Sequence, residues 1–205
     1  MEMEGQTVFI VDDNAAVRDS IQELVESIGL QAETYPSAKA FLDAFQPERS
    51  GCLVLDVRMA GMSGLVLQEK LKELGARIPV ILLTGHADVP MAVRALKMGA
   101  MDFIQKPYRE QLLLDSINHA LEADAAARHS SAQKDNLEQR LAALTERERE
   151  VLDKLLTGSS SKQIARELDI SPRTVEIHRQ HVLRKLGVAS VRELIGLFGV
   201  PDNNK

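Results

Sequence analysis

The acidic pair Asp12-Asp13 closes the apolar run Val8-Phe9-Ile10-Val11, and Asp56 closes a second run, Leu53-Val54-Leu55. Both runs are too short for a helix and rich in aliphatic and β-branched side chains, the pattern of buried strands. Parallel neighbours in one sheet bring their carboxyl ends to a single edge, where open α/β sheets place their chemistry. Three carboxylates crowded there repel one another and raise each other's pKa unless a cation sits between them. A small hard divalent ion such as Mg²⁺ suits all-oxygen ligands and keeps some waters. The pattern implies a metal-assisted acidic pocket with one carboxylate free to act as nucleophile.

Two further runs end in complementary groups. Val80-Ile-Leu-Leu83 leads to Thr84, and Asp102-Phe-Ile-Gln105 leads to Lys106-Pro107. At the same sheet edge an ammonium neutralises charge on a phosphoryl group, and a hydroxyl bonds one of its oxygens. Any one of these acids alone is more simply a loop residue or a helix cap favoured by the helix dipole. All five elements in this order favour phosphoryl chemistry.

Acid pair, nucleophilic Asp, Thr and Lys, each at a strand end, resembles the receiver domain of response regulators over roughly residues 6–122. The run Thr84-Gly-His-Ala-Asp-Val-Pro-Met-Ala-Val93 is similar to the FixJ subfamily. The resemblance implies a flavodoxin-like (βα)5 fold with a parallel five-stranded sheet, and Asp56 as phosphoacceptor. It further implies Mg²⁺ held by Asp13, Asp56, the Arg58 carbonyl and a water-bridged Asp12. Thr84 and Lys106 would serve the phosphoryl group, with Thr84 and Phe103 as the switch pair. One position departs from the subfamily: Met59 is followed by Ala60 rather than proline. Loss of the proline is expected to loosen this loop by roughly 0.4–1 kcal/mol through unfolded-state entropy, and to hold the Arg58 carbonyl less firmly.

A chain of 205 residues, 44% hydrophobic, holds two small domains or one large one. With no Trp and 3% aromatics, its core must be aliphatic. The single Cys52 lies in a strand run and reads as a reduced core thiol, with no disulfide possible within the chain. The acidic start Met1-Glu-Met-Glu4 does not resemble a signal peptide, and no apolar stretch approaches the ~18 residues that span a bilayer, so a cytoplasmic location is expected. The net charge of −5 is uneven. Residues 1–122 carry 11 Lys and Arg against 18 Asp and Glu, whereas residues 143–205 carry 11 against 9. Any nucleic-acid contact therefore belongs to the second part.

Strands near 7–11, 31–35, 52–56, 80–84 and 102–105 alternate with helical patterns near 14–28, 37–45, 64–74, 88–98 and 108–122. Such alternation implies a parallel sheet covered by helices on both faces. Residues 1–122 form the first domain. Residues 123–143 are a polar, Ala-rich bridge, expected to be a solvated linker helix that Ser130-Ser131 could interrupt. A dimerising coil is the lesser alternative, because fewer than three apolar heptads are visible. Residues 144–205 form an all-α domain of four helices. Thr145-Glu-Arg-Glu148 and Ser190-Val-Arg-Glu193 are capping boxes in sequence form. Asp169-Ile-Ser-Pro172 is a tight turn before a helix running from Pro172 to Leu186 and stopping at Gly187, which suggests a helix-turn-helix.

In that arrangement the helix after the turn enters the major groove. Arg173, Thr174, Glu176, Ile177, Arg179 and Gln180 are the outward candidates, with Val175, Val182 and Leu186 inward. Glu suits a cytosine amino group, Gln suits adenine, and Ile suits a thymine methyl. Arg173, Arg179, Lys185 and Lys162 suit phosphate. The order Leu144-Thr-Glu-Arg-Glu-Arg-Glu-Val-Leu152, Lys162-Gln-Ile-Ala165 and Ile170-Ser-Pro-Arg-Thr-Val-Glu-Ile-His178 resembles the LuxR-type DNA-binding domain along its whole length. The resemblance puts Glu176, Ile177 and Gln180 on the bases. Ser161 stands where Asn is common in that family, which should weaken one polar turn contact.

The implied partners are a sensor histidine kinase, double-stranded promoter DNA, RNA polymerase and a second copy of the chain on phosphorylation. Two rivals remain: a Mg²⁺-dependent phosphohydrolase, for which no substrate-specificity domain is visible, and a receiver whose output module binds protein or RNA. An enzyme beyond self-catalysed phosphorylation and dephosphorylation is not expected. His86, His119 and His129 lack metal-ligand spacing and read as surface residues. His178 reads as helix support or a phosphate contact, and Met91, Met98 and Met101 as core filling or a partner surface.

Overall fold

The computed structural model describes residues 5–85 and 89–198. The chain divides into two compact units, residues 1–129 and 130–205. The first contains β1 (Thr7–Val11), α1 (Ala15–Ser27), β2 (Gln31–Tyr35), α2 (Ala38–Ala44), β3 (Gly51–Asp56), α3 (Gly64–Glu73), β4 (Val80–Thr84), α4 (Val89–Lys97) and β5 (Asp102–Gln105). The boundary falls inside α5 (Glu110–Ala142). The second unit adds α6 (Glu146–Leu156), α7 (Ser161–Glu167), α8 (Pro172–Leu186) and α9 (Val191–Leu197).

The sheet is parallel throughout, in the order β2-β1-β3-β4-β5. Alternate side chains feed two separate cores. Val8, Ile10, Cys52, Val54, Ile81 and Leu83 face α1 and the first part of α5, while Phe9, Val11, Leu53, Leu55, Val80 and Leu82 face α2, α3 and α4. Every residue of β1, β3 and β4 is buried, which is why these strands are continuously apolar rather than alternating. An aromatic cluster sits on the α2 side: the Phe41 ring meets Phe9, Tyr35 and Phe45 at centroid distances of 5.9, 5.3 and 5.4 Å. Cys52 is fully buried, and burial pushes its thiol up to about 12, so it is an inert core residue.

The strand order reverses between β1 and β3, where the chain leaves first for β2 and then for β4. Val11 pairs with Leu55 in register, so the residues that follow, Asp12 and Asp56, emerge side by side. The topology thus brings distant acids to the switch point of the sheet.

The bridge expected at 123–143 is the second part of one uninterrupted helix, α5, and Ser130-Ser131 do not break it. Leu137 and Leu141 pack against the core of the second unit, and Leu144 is buried within it. With these three leucines used, the segment retains no apolar seam of the kind a coiled coil needs. The last helix, whose sequence pattern lies near 191–199, is described from Val191 to Leu197; residue 199 lies outside the described residues, as do His86 and residue 88. Among the described residues no helix is long and apolar enough to cross a membrane.

The root of this helix is anchored in the first unit by a buried ionic cluster invisible in the sequence. Asp124, 2% exposed, accepts from Ser50 Oγ at 2.5 Å, Gly51 N at 3.0 Å and Arg128 Nε at 2.9 Å. The same guanidinium donates to the carbonyls of Pro47, Glu48 and Arg49. Gly51 is obligatory beside this clamp: a Cβ would stand 1.9 Å from the Thr7 carbonyl oxygen. A buried carboxylate stripped of its cation is strongly destabilising. Arg128→Ala is therefore expected to lower the unfolding free energy of the first unit by roughly 2–4 kcal/mol, measured by urea denaturation. A loss below about 0.5 kcal/mol, the scale of an exposed helix pair, would contradict the clamp.

Candidate functional site

At the carboxyl edge of the sheet, Lys106 Nζ lies 2.6 Å from Asp12 Oδ2 and 2.8 Å from Asp56 Oδ1. Asp12 is 3% and Asp56 7% exposed, so both acids are held close in a desolvated place with one cation between them. Lys106 follows β5 and is fixed by its own backbone, whose N–H donates to the Thr84 carbonyl at 2.7 Å; its bond to Pro107 is cis. Thr84 is fully buried at the end of β4. Burial pushes the Asp56 carboxyl above the usual range, and repulsion from Asp12 adds to this, while Lys106 and the Arg58 N–H act against it. Burial alone would lower the Lys106 ammonium, but its hydrogen bonds to Asp12 and Asp56 hold it above its ordinary value. Asp56 is thus a partly neutralised, desolvated carboxylate whose Oδ1 faces an ammonium and whose Oδ2 accepts from Arg58 N at 2.7 Å.

Two backbone devices keep Asp12 and Asp56 in place. The Asp12 carboxylate accepts from Asn14 N at 2.9 Å, and its carbonyl accepts from Arg18 Nη1 at 2.8 Å. Behind Asp56, the first residue of α3 is Gly64, where a Cβ would lie 2.3 Å from the Asp56 carbonyl oxygen. Any side chain there would displace the strand end that carries Asp56. Neither Arg18 nor Gly64 stood out in the sequence, because both act on the backbone carbonyls of the acids, six and eight residues away, rather than on their carboxylates.

Asp13 is exposed and turned toward the loop after β3, where its Oδ2 accepts from Ala60 N at 2.9 Å. This revises the expectation that losing proline loosens the loop. Proline has no N–H, so the substitution that removes a backbone restraint also supplies the donor that ties the loop to Asp13. The Arg58 side chain points to solvent, leaving its backbone as the part near Asp56. Phe103 is half-buried against the core on the α3–α4 side. His119 and His129 are exposed; Met91 packs on the α3–α4 core and Met101 on the α1–α5 core.

The edge offers only oxygen donors, and the point between Asp12 and Asp56 already accepts positive charge; both properties fit a hard cation. Among the described residues, no three acids are gathered at ligand distance, Asp13 being the member set apart.

In the second unit α7 and α8 are joined by a tight turn. Ser171 caps α8, accepting from Thr174 N at 3.1 Å, and Pro172 opens it. Val175, Val182 and Leu186 are completely buried. Lys162, Arg173, Glu176, Ile177 and Gln180 are exposed, and Thr174 and Arg179 half-buried. Ile177 is an apolar side chain left 47% exposed. Lys185 is corrected: its Nζ is taken by Glu148 Oε2 at 2.6 Å and the Ala143 carbonyl at 3.0 Å, a structural tie rather than a phosphate contact. His178 Nδ1 is buried with no hydrogen-bond partner, in keeping with a packing role. The Thr145–Glu148 capping box forms as the sequence suggests. A second box, Ser160 with Gln163, opens α7 and follows the same S-x-x-Q spacing that sequence inspection passed over.

Each unit also matches a known protein family. Residues 8–118 match the model of the response regulator receiver domain, and residues 142–198 that of bacterial regulatory proteins of the luxR family. The transcriptional regulatory protein TdiR of Thauera aromatica is 50% identical over 195 residues, covering 93% of this chain and 84% of the relative. The transcriptional regulatory protein FixJ of Bradyrhizobium diazoefficiens is 42% identical over 190 residues, 93% of each chain. Among solved structures, the response regulator StyR superposes with a TM-score of 0.90 at 45% identity, over 95% of this chain and 98% of that one. Full-length FixJ superposes with a TM-score of 0.59 at 41% identity, over 94% and 95%.

Glu148 provides a pH test of the second unit. It is 3% exposed and holds Lys185, the Thr145 N–H at 2.8 Å and, at 3.6 Å, His181 Nδ1. The Lys185 bond and then the Thr145 N–H hold its carboxyl at about 2, below the ordinary 4.5. A depressed acid stabilises the fold fully above its unfolded pKa and loses that stabilisation as pH falls toward its folded pKa. The stability advantage of the parent over Glu148→Gln should therefore be full above about pH 4.5 and shrink between there and about pH 2, read as the difference in urea midpoints. A difference that stays constant across that interval would refute the assignment.

Proposed function

Because this chain belongs to the two-component response regulators with a receiver domain and a LuxR-type DNA-binding domain, we propose that Asp56 accepts a phosphoryl group and that the phosphorylated chain reads promoter DNA. The receiver implies a sensor histidine kinase as donor, and the LuxR-type domain implies duplex DNA as target. The observation that carries the proposal is the shared ammonium of Lys106 between Asp12 and Asp56. An Asp56 oxygen attacks phosphorus as the phosphorus–nitrogen bond of the kinase phosphohistidine breaks, and the departing imidazole keeps its electron pair and takes up a proton. Lys106 then exchanges its bond to the Asp56 carboxylate for one to a phosphoryl oxygen, and the Thr84 hydroxyl donates to another. Asp12, Asp13, Asp56 and the Arg58 carbonyl are the groups that would hold Mg²⁺, which supplies charge neutralisation for in-line transfer when bound.

The switch follows from the same edge. Movement of Thr84 toward the phosphoryl group vacates space for the Phe103 ring, and the surface of α4 and β5 repacks. That surface exposes Val93 and Leu96, a suitable apolar patch for a second copy of the chain. Two joined copies read two half-sites, and each gains from the effective concentration supplied by the other. Lys162, Arg173 and Arg179 take phosphates, while Thr174, Glu176, Ile177 and Gln180 face the bases, in a complex that recruits RNA polymerase from the cytoplasm. The chain is a switch rather than an enzyme acting on a separate substrate.

Acetyl phosphate with Mg²⁺ should label the parent once per chain and leave Asp56→Asn unlabelled, with the labelled parent gaining duplex affinity and the variant gaining none. Repeated turnover of generic phosphate esters would favour a hydrolase instead. Duplex affinity should fall with salt on a log–log plot with a slope of about −0.9 for each phosphate neutralised. Lys162→Ala should reduce that slope by about 1 while leaving base preference unchanged. No duplex affinity in the phosphorylated form would overturn the assignment.

A further inference from the structure

Ser161, the first residue of α7, reaches across the helix-turn-helix to α8. Its Oγ donates to Glu176 Oε1 at 2.5 Å, and Arg179 Nη1 lies 3.5 Å from the same oxygen. Ser161 is not needed to cap its own helix, because Ser160 accepts from Gln163 N and forms the capping box. Its hydroxyl is thus committed to another element. Glu176 Oε2 accepts no hydrogen bond among the described residues, although the residue is exposed. We propose that Ser161 is a specificity-determining residue that aims the Glu176 carboxylate at a base edge. This rests on the assignment of α8 as the helix that reads duplex DNA.

The physical case concerns freedom. An exposed Glu populates many rotamers, and ordering it on binding carries an entropic cost that weakens whatever contact it makes. Ser161 restrains one carboxylate oxygen before DNA arrives, and Arg179 favours the same placement electrostatically. The remaining oxygen is an acceptor only, and in the major groove the cytosine amino group offers the matching donor. The geometry therefore predicts a preference for a C·G pair with its cytosine toward Glu176. Ser161 itself touches no base and works by positioning Glu176. The substitution of the Asn common at this position by Ser does not remove the polar contact between the two helices; it supplies a shorter donor, one methylene from the backbone.

The test is selection from a randomised duplex library by the full chain, labelled with acetyl phosphate and Mg²⁺, comparing parent, Ser161→Ala, Ser161→Thr and Glu176→Ala. Glu176→Ala identifies the base pair that depends on Glu176. At that pair Ser161→Ala should lose about three- to tenfold of the cytosine preference, part of the discrimination a full base contact supplies. Affinity for unrelated duplex and preferences at other pairs should stay within about twofold, since phosphate contacts are untouched. Ser161→Thr retains the hydroxyl and should restore the preference, which a merely structural role of the side chain in α7 would not require. Preference unchanged in Ser161→Ala, or lost at a pair other than the one governed by Glu176, overturns the proposal. A parent that selects no sequence at all fails the groove-reading assignment instead.

Discussion

The fold of the first unit is organised around electrostatic repulsion that has nowhere to go. Asp12 and Asp56 are delivered to adjoining strand ends with almost no access to water, and two charged carboxylates so placed cannot remain unless a cation joins them. Lys106 is that cation, and it arrives on a third strand whose register is fixed by the Thr84 carbonyl. Three strands, β1, β3 and β5, are therefore tied at their ends by two ion pairs. The tie is conditional, because it depends on the charge at Asp56.

The second unit solves a similar problem in the opposite sense. Glu148 is buried, but every bond to it is satisfied by permanent donors: the Lys185 ammonium and the Thr145 N–H. The Asp56 carboxylate shares its cation with Asp12, and burial raises its pKa. The other is silent because its donors pull its pKa down. The same contrast separates Asp124, locked by Ser50, Gly51 and Arg128, from Asp13, exposed and held by one backbone N–H. Burial marks neither class by itself; what distinguishes them is whether the donors can be exchanged.

Substitutions that look like losses in the sequence become new contacts in the structure. Ala60 in place of proline gives Asp13 a donor, and Ser161 in place of asparagine gives Glu176 one. In both cases the sequence comparison registers what is removed, whereas the contact formed depends on a residue 47 or 15 positions away.

Strand positions, their parallel order and the candidate acids were legible in the sequence because each follows from local regularities: short apolar runs, capping residues, glycines after helices, and charged residues at run ends. Helix α8 was equally plain, since Ser171-Pro172 and Gly187 mark its ends and Val175, Val182 and Leu186 define one face. The tertiary structure alone decided how residues far apart in the chain share their charges. Lys185 had the look of a phosphate contact until Glu148 claimed it, and the polar bridge after residue 122 had the look of a solvated tether until Asp124 and Arg128 fastened its first turns. Periodicity reports which face a residue occupies. Which ion it meets there is set by the packing of other elements, and no local pattern encodes that.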